Sequence, residues 1–276
     1  MSITNLNVND LLAALALPSA ALVQQRVPKK MLAENGAATL ADRKLVQDGI
    51  DEFIWHAALK PTNAGIVAYE DELRSYLEVA VLSVRLRTEA AADSQLRPQA
   101  VKVSNSVKRL AEWVHRAVPY PTVLLIEEGV QLFASMAHIR WAQREAEKTV
   151  LDGDSIIVHV NSDLPEGVAD GSITAFLESL ALSKQPRSHM LTLYQGWFDT
   201  LSAWQAAPLI GEFKRSDTPT QAAERRAALH ECKDLDDRIA AARSVAAKEK
   251  QLARQVAANL EIKALLAERQ RVVQSL

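Results

Sequence analysis

The chain has 276 residues, enough for one large or two modest domains, and its 48% hydrophobic and 24% charged content excludes wholesale disorder. A formal net charge of −2 removes any global electrostatic pull towards nucleic acid or anionic lipid, and a single cysteine, Cys232, excludes an internal disulfide or a zinc site built on several thiolates. The longest apolar run, Leu11 to Pro18, falls well short of the roughly 20 residues that cross a bilayer, and Met1 to Asp10 lacks the basic start of a secretory signal. These features predict a soluble, cytoplasmic protein with no membrane partner.

In chain order, Asn9 to Leu17 has helical apolar spacing and stops at Pro18. Arg26-Val27-Pro28-Lys29-Lys30 reads as a basic loop, because Pro28 disfavours helix at the residue before it. Thr39 and Asp42 form a capping pair for a helix carrying Leu40, Val46, Ile50, Phe53, Ile54 and Ala57 on one side, ended by Pro61 and Gly65. Tyr76 to Leu86 is β-branched and partly alternating, which predicts a strand; Arg87 to Val103 is a polar loop. Asn105 to Val118 is a helix with Val107, Leu110, Ala111 and Val114 along one face. Thr122 to Ile126 and Val130 to Ala137, joined by Glu127-Glu128-Gly129, make a β-hairpin, and Ser155 to Val160 is a further strand.

Past Gly171 the chain turns helical, with Ile173 to Ser183 and then His189 to Ala206, which aligns Leu193, Trp197, Leu201 and Trp204. Thr218, with Gln221 three residues on and Pro219 between, signals a helix start. No proline or glycine follows Pro219, so one uninterrupted helix there would be about 85 Å long at ~1.5 Å per residue. Leu235, Ile239, Ala242 and Ala246 step by three and four as in a coiled-coil seam. Glu249 then falls where an apolar residue is due, and the stripe resumes at Leu252, Val256 and Leu260, with Leu266 beyond. Such a slip marks a stutter or a turn between antiparallel helices.

The expected fold is therefore α+β. A mixed β-sheet with covering helices occupies residues 1–165, a helical connector 166–213, and a long coiled-coil-like helix or helical hairpin 214–276. That last segment is the expected interaction surface, for a second copy or another protein. Its charges are mixed in sign and too dilute for a DNA-binding face.

Chemistry is sparse in the pattern. No phosphate-cradling glycine motif, nucleophile elbow or paired-histidine spacing occurs, and no cofactor or metal site is expected. The catalytic candidates are Glu78 on the first long strand with Glu127 or Glu128 at the hairpin, as acids for a metal-dependent nuclease, and His115 or His138 beside them. No lysine follows any of these acids at the spacing such enzymes use. His56 is a further isolated histidine. His115 lies near a helix C-terminus, where a protonated ring is favoured. Lys29 and Lys30 near the Asn35-Gly36 turn, together with Arg116, are candidates for phosphate contact.

Several segments also carry a family resemblance. Arg26-Val27-Pro28-Lys29-Lys30-Met31-Leu32-Ala33-Glu34-Asn35-Gly36, Ala41-Asp42-Arg43-Lys44, Ile54-Trp55, Leu59-Lys60-Pro61, Tyr76-Leu77-Glu78-Val79, His115-Arg116-Ala117-Val118-Pro119-Tyr120-Pro121 and Ser135-Met136-Ala137-His138 follow one another in a familiar order. Lys248-Glu249-Lys250-Gln251 and Asn259-Leu260-Glu261-Ile262-Lys263 extend the match into the tail. In this arrangement the chain resembles the bacterial domain of unknown function 4391 family. The resemblance implies an accessory, non-catalytic role beside a helicase or DNA methyltransferase in phage-defence or restriction-like gene clusters, touching DNA indirectly. It supplies no active-site residues.

Overall fold

The computed structural model describes residues 6–30, 39, 43–87, 103–142, 149–160 and 167–276. The chain divides into two compact units: Met1–Glu166 with Asp170–Leu201, and Gly167–Ala169 with Ser202–Leu276.

The first unit opens with helix α1 (Val8–Leu15), capped by Asn7, whose Oδ1 accepts from Asn9 N at 2.8 Å while Asp10 accepts from Asn7 N. Strands β1 (Leu22–Arg26) and β2 (Ile50–Leu59) follow, then a single helical turn, α2 (Pro61–Ala64). A two-stranded ribbon of β3 (Tyr69–Glu70) and β4 (Ser75–Tyr76) leads into β5 (Val79–Leu86). Helix α3 (Asn105–Ala117) precedes β6 (Thr122–Glu128) and β7 (Gln131–Ala137). A second ribbon pairs β8 (Ile139–Trp141) with β9 (Thr149–Leu151), and β10 (Ile156–His159) returns to the main sheet. The six-stranded order is β1-β2-β5-β6-β7-β10, parallel only between β5 and β6 and antiparallel elsewhere. A parallel pair needs a crossover, and α3 lies within it.

Strand alternation sends side chains to opposite faces. Phe53, Leu82, Val84, Leu124, Ile126 and Phe133 face α3 and pack on its Val107, Leu110, Ala111 and Val114, the stripe predicted for that helix. The other face carries Val123, Leu125, Ala134 and Met136. These meet Leu11 and Leu15 of α1, Phe176 of α4 (Ser172–Ser179), and Trp197 and Leu201 of α5 (Met190–Ile210) around a small apolar cavity.

One sequence expectation is corrected here. Residues Ile50 to Leu59, read as the face of a helix, form β2. Its register slips between Ile50 and Glu52 and again between Trp55 and Ala57. Each irregularity inserts a residue, so Ile50, Phe53 and Ala57 are all fully buried at spacings of three and four, as on a helix, before Leu59 closes the strand. Strand β1 escaped the sequence reading, and the Thr39–Asp42 cap and the Asn35-Gly36 turn involve residues outside those described.

Gly196 of α5 gives a stability test. A Cβ there would stand 2.5 Å from Pro186 Cδ and 2.8 Å from Gln185 Oε1. Gln185 is buried and tied through Nε2 to the Ser179 and Ala181 carbonyls, so it has little room to yield. Gly196→Ala is expected to destabilise by about 1–3 kcal/mol, more than offsetting alanine's better helix propensity. Urea unfolding measures this, and a midpoint equal to or above that of the parent contradicts it.

In the second unit, α6 (Pro219–Lys248) starts at Thr218, which accepts from Gln221 N at 3.2 Å while Gln221 Oε1 accepts from Thr218 N at 3.3 Å, the predicted capping box. The tail is not one rod. Extended backbone at Glu249 ends α6, and α7 (Leu252–Val273) folds back along it. Asp236 accepts two hydrogen bonds from Arg269, at 2.6 and 3.1 Å, and Leu235, Ile239 and Leu265 pack together with Ala242 and Val272. The slip at Glu249 thus marks the turn of a helical hairpin. Among the described residues, no helix is long and apolar enough to cross a membrane.

Candidate functional site

The structure scatters the acids and histidines suggested by the sequence. Glu78 sits just before β5 and pairs with Lys60 at 3.3 Å. Glu127 and Glu128 end β6, where Glu128 Oε1 accepts from Ser104 Oγ at 2.9 Å. Because β5 and β6 run parallel with Arg85 opposite Glu127, Glu78 lies roughly 20 Å along the strands from Glu127, at about 3.3 Å per residue. At that separation the two cannot hold one metal ion.

His115 is completely buried, its Nε2 2.9 Å from Ser135 Oγ, and burial pushes its pKa down to about 4. The ring is therefore neutral at neutral pH, because the cost of desolvation outweighs the helix dipole that would favour a proton there. His138 follows β7 with Nδ1 2.6 Å from the Tyr76 hydroxyl, among the rings of Tyr76, Tyr194 and Phe198. Arg116 pairs with Glu112 at 2.7 Å near the C-terminus of α3, beside the start of β6. Lys29 lies instead near the end of β5, where its Nζ donates to the Ile50 carbonyl, so the two do not share a site.

A polar cluster that the sequence reading missed lies across β2, β5 and β6, near the carboxyl ends of the parallel pair. Arg85 Nε donates to Glu127 Oε2 at 2.8 Å and its guanidinium lies 3.4 Å from Glu52. These bonds raise the Arg85 pKa. Beside this ladder, His56 Nε2 lies 2.7 Å from Ser83 Oγ. Burial lowers the His56 pKa, and the nearby Glu52 and Glu127 charges oppose that shift. Ser83 is buried in mid-strand, so the pair presents no nucleophile to solvent. Arg85 between them balances one of the two carboxylate charges and leaves a single net negative charge. Among the described residues, no group of three or more His, Cys, Asp or Glu could hold a metal ion.

At the same rim, Arg26, Lys29 and Arg87 gather around the backbone of Gly49 to Asp51. Arg26 Nη2 donates to the Asp51 carbonyl at 3.5 Å, Arg87 N to the Gly49 carbonyl at 2.7 Å, and Arg87 Nε faces Asp51 Oδ1 at 3.9 Å. Partial burial lowers the Lys29 pKa, and the neighbouring Arg87 and Arg26 lower it further against Asp51 and Asp48.

The predicted interaction residues of the tail separate into two sets. Leu235, Ile239 and Ala246 are buried and Ala242 is half-buried, whereas Val256 and Leu260 are 51% and 64% exposed. Leu252 opens α7. Exposed Ala253, Ala257, Ala264 and Ala267 continue the Val256–Leu260 stripe, while Ala258, Ile262, Leu265 and Val272 form a more buried stripe on the same helix. Helix α7 is thus apolar on two sides.

A mixed sheet with one parallel pair and a separate helical hairpin define an α+β protein with no metal cluster among its described residues. The chain belongs to the family described as Domain of unknown function (DUF4391), whose model matches residues 15–268. No curated protein and no solved structure matches it.

Proposed function

We propose that the chain is a non-catalytic interaction subunit that binds through the outward face of α7 and serves beside a DNA-acting enzyme such as a helicase or methyltransferase. The observation supporting this is the stripe of Val256 and Leu260 between exposed alanines, on a helix whose other apolar side is already engaged. An apolar helix face of this kind suits a partner helix, with spacings of three and four supplying the anchors. Val245, 64% exposed on α6, adds apolar surface to the hairpin.

The test is Val256→Asp combined with Leu260→Asp, compared with the parent by light scattering and by co-purification with the products of neighbouring genes. Both side chains are exposed, so helix content by circular dichroism should be retained. Loss of two anchors at about 1–3 kcal/mol each should weaken self-association or partner retention by at least roughly tenfold. A parent that is monomeric and retains no neighbouring gene product overturns the reading, as does a variant that associates undiminished.

A further inference from the structure

We infer that the rim formed by Arg26, Lys29 and Arg87 binds the phosphodiester backbone of a nucleic acid. Two segments distant in sequence supply these cations: Arg26 and Lys29 come from the end of β1 and the residues just after it, and Arg87 from the residue following β5. All three meet the same short stretch, Gly49 to Asp51. Around Lys29, the cations Arg26 and Arg87 and the acids Asp51 and Asp48 leave one net positive charge with Lys29 itself, while the neighbouring Arg85 with Glu52 and Glu127 leaves one net negative charge further along the rim. Like charges held together repel one another, and an anion relieves that repulsion.

The partnership already present is weak enough to exchange. Arg87 and Asp51 are 56% and 53% exposed and 3.9 Å apart, a surface pair worth about 1 kcal/mol or less. A phosphate oxygen offers the guanidinium a stronger, charge-assisted bond.

The surroundings favour a polyanion over a single phosphate or a protein. Lys29 aside, the charged groups are exposed and stand at one end of the neighbouring strands β1, β2 and β5, while the small cavity of the same unit is apolar and lined by other residues. A protein interface needs an apolar centre, yet the exposed leucine of β1, Leu22, is at the strand's opposite end. Backbone phosphates need only fixed positive charge. This site is independent of the α7 face and stands or falls separately.

The test measures anisotropy of a fluorescent DNA oligonucleotide, single- and double-stranded, with the full chain over a range of salt. Arg26→Gln with Arg87→Gln should weaken binding about tenfold or more and lower the slope of log affinity against log salt by roughly 1.4–1.8, the ~0.7–0.9 per phosphate contact expected for two contacts. Thermal melting checks that this variant folds. Arg243→Gln, exposed on α6 of the second unit, should leave both readouts unchanged. The inference is overturned by no binding at low ionic strength, by equal loss in Arg243→Gln, or by an undiminished rim variant. Displacement by inorganic phosphate at matched ionic strength, or polyglutamate binding as tight as DNA, overturns it too.

Discussion

Acidifying the protein from neutral pH to pH 4 should cost about 3 kcal/mol of stability through His115 alone. Its pKa falls from an ordinary 6.5 to about 4 because the ring is completely buried. A shift of that size, at 1.36 kcal/mol per unit, sets the magnitude. The folded state holds the neutral ring, so the contribution is fully present above pH 6.5. Below that the unfolded chain takes up a proton that the folded chain refuses, and stability drains away until pH 4. His115→Gln keeps a donor and an acceptor near Ser135 Oγ without a titrating ring. Urea unfolding at pH 7, 5.5 and 4 should show the parent losing about 3 kcal/mol more than the variant over this range. Parallel curves would show that His115 does not titrate as its burial requires.

A second large effect is expected at Tyr194, whose hydroxyl is buried under the start of the β6–β7 pair. It accepts from Ala137 N at 3.1 Å, and its single proton lies within reach of the Thr122 and Ala137 carbonyls, at 2.9 and 2.8 Å. Tyr194→Phe removes the hydroxyl and leaves these main-chain groups short of a partner where water does not easily enter. At about 1–3 kcal/mol for each buried group left unsatisfied, the loss should total roughly 2–4 kcal/mol. Hydrogen exchange at the Ala137 amide should accelerate by more than global destabilisation explains. An amide still as protected as the rest of β7 would indicate that the hydroxyl does not clamp the strand pair.

Legibility of the fold followed the regularity of its elements. Helix α3 keeps its period of 3.6, strands β5, β6 and β7 are short apolar runs buried on both faces, and these patterns identify them. Strand β2 shows no such strand pattern, because its irregular register spaces Ile50, Phe53 and Ala57 like a helix. The hairpin turn has neither glycine nor proline, and its one visible sign is Glu249 occupying a seam position. The candidate site was less legible still. Glu52, Arg85 and Glu127 are separated by long stretches of sequence and meet only through the β2-β5-β6 register. Pairing Glu78 with Glu127 failed for the converse reason, since strand direction is invisible in a list of residues.

The lone parallel contact, between β5 and β6, bears on how the chain emerges from the ribosome. Leu82 and Val84 are synthesised well before Leu124 and Ile126, the neighbours that flank them. At about 5–20 residues per second, the exposed edge of β5 waits several seconds for its mate. During that interval a greasy three-stranded fragment of β1, β2 and β5 is open to other nascent chains, which makes this seam the place where holdase chaperones have most to protect.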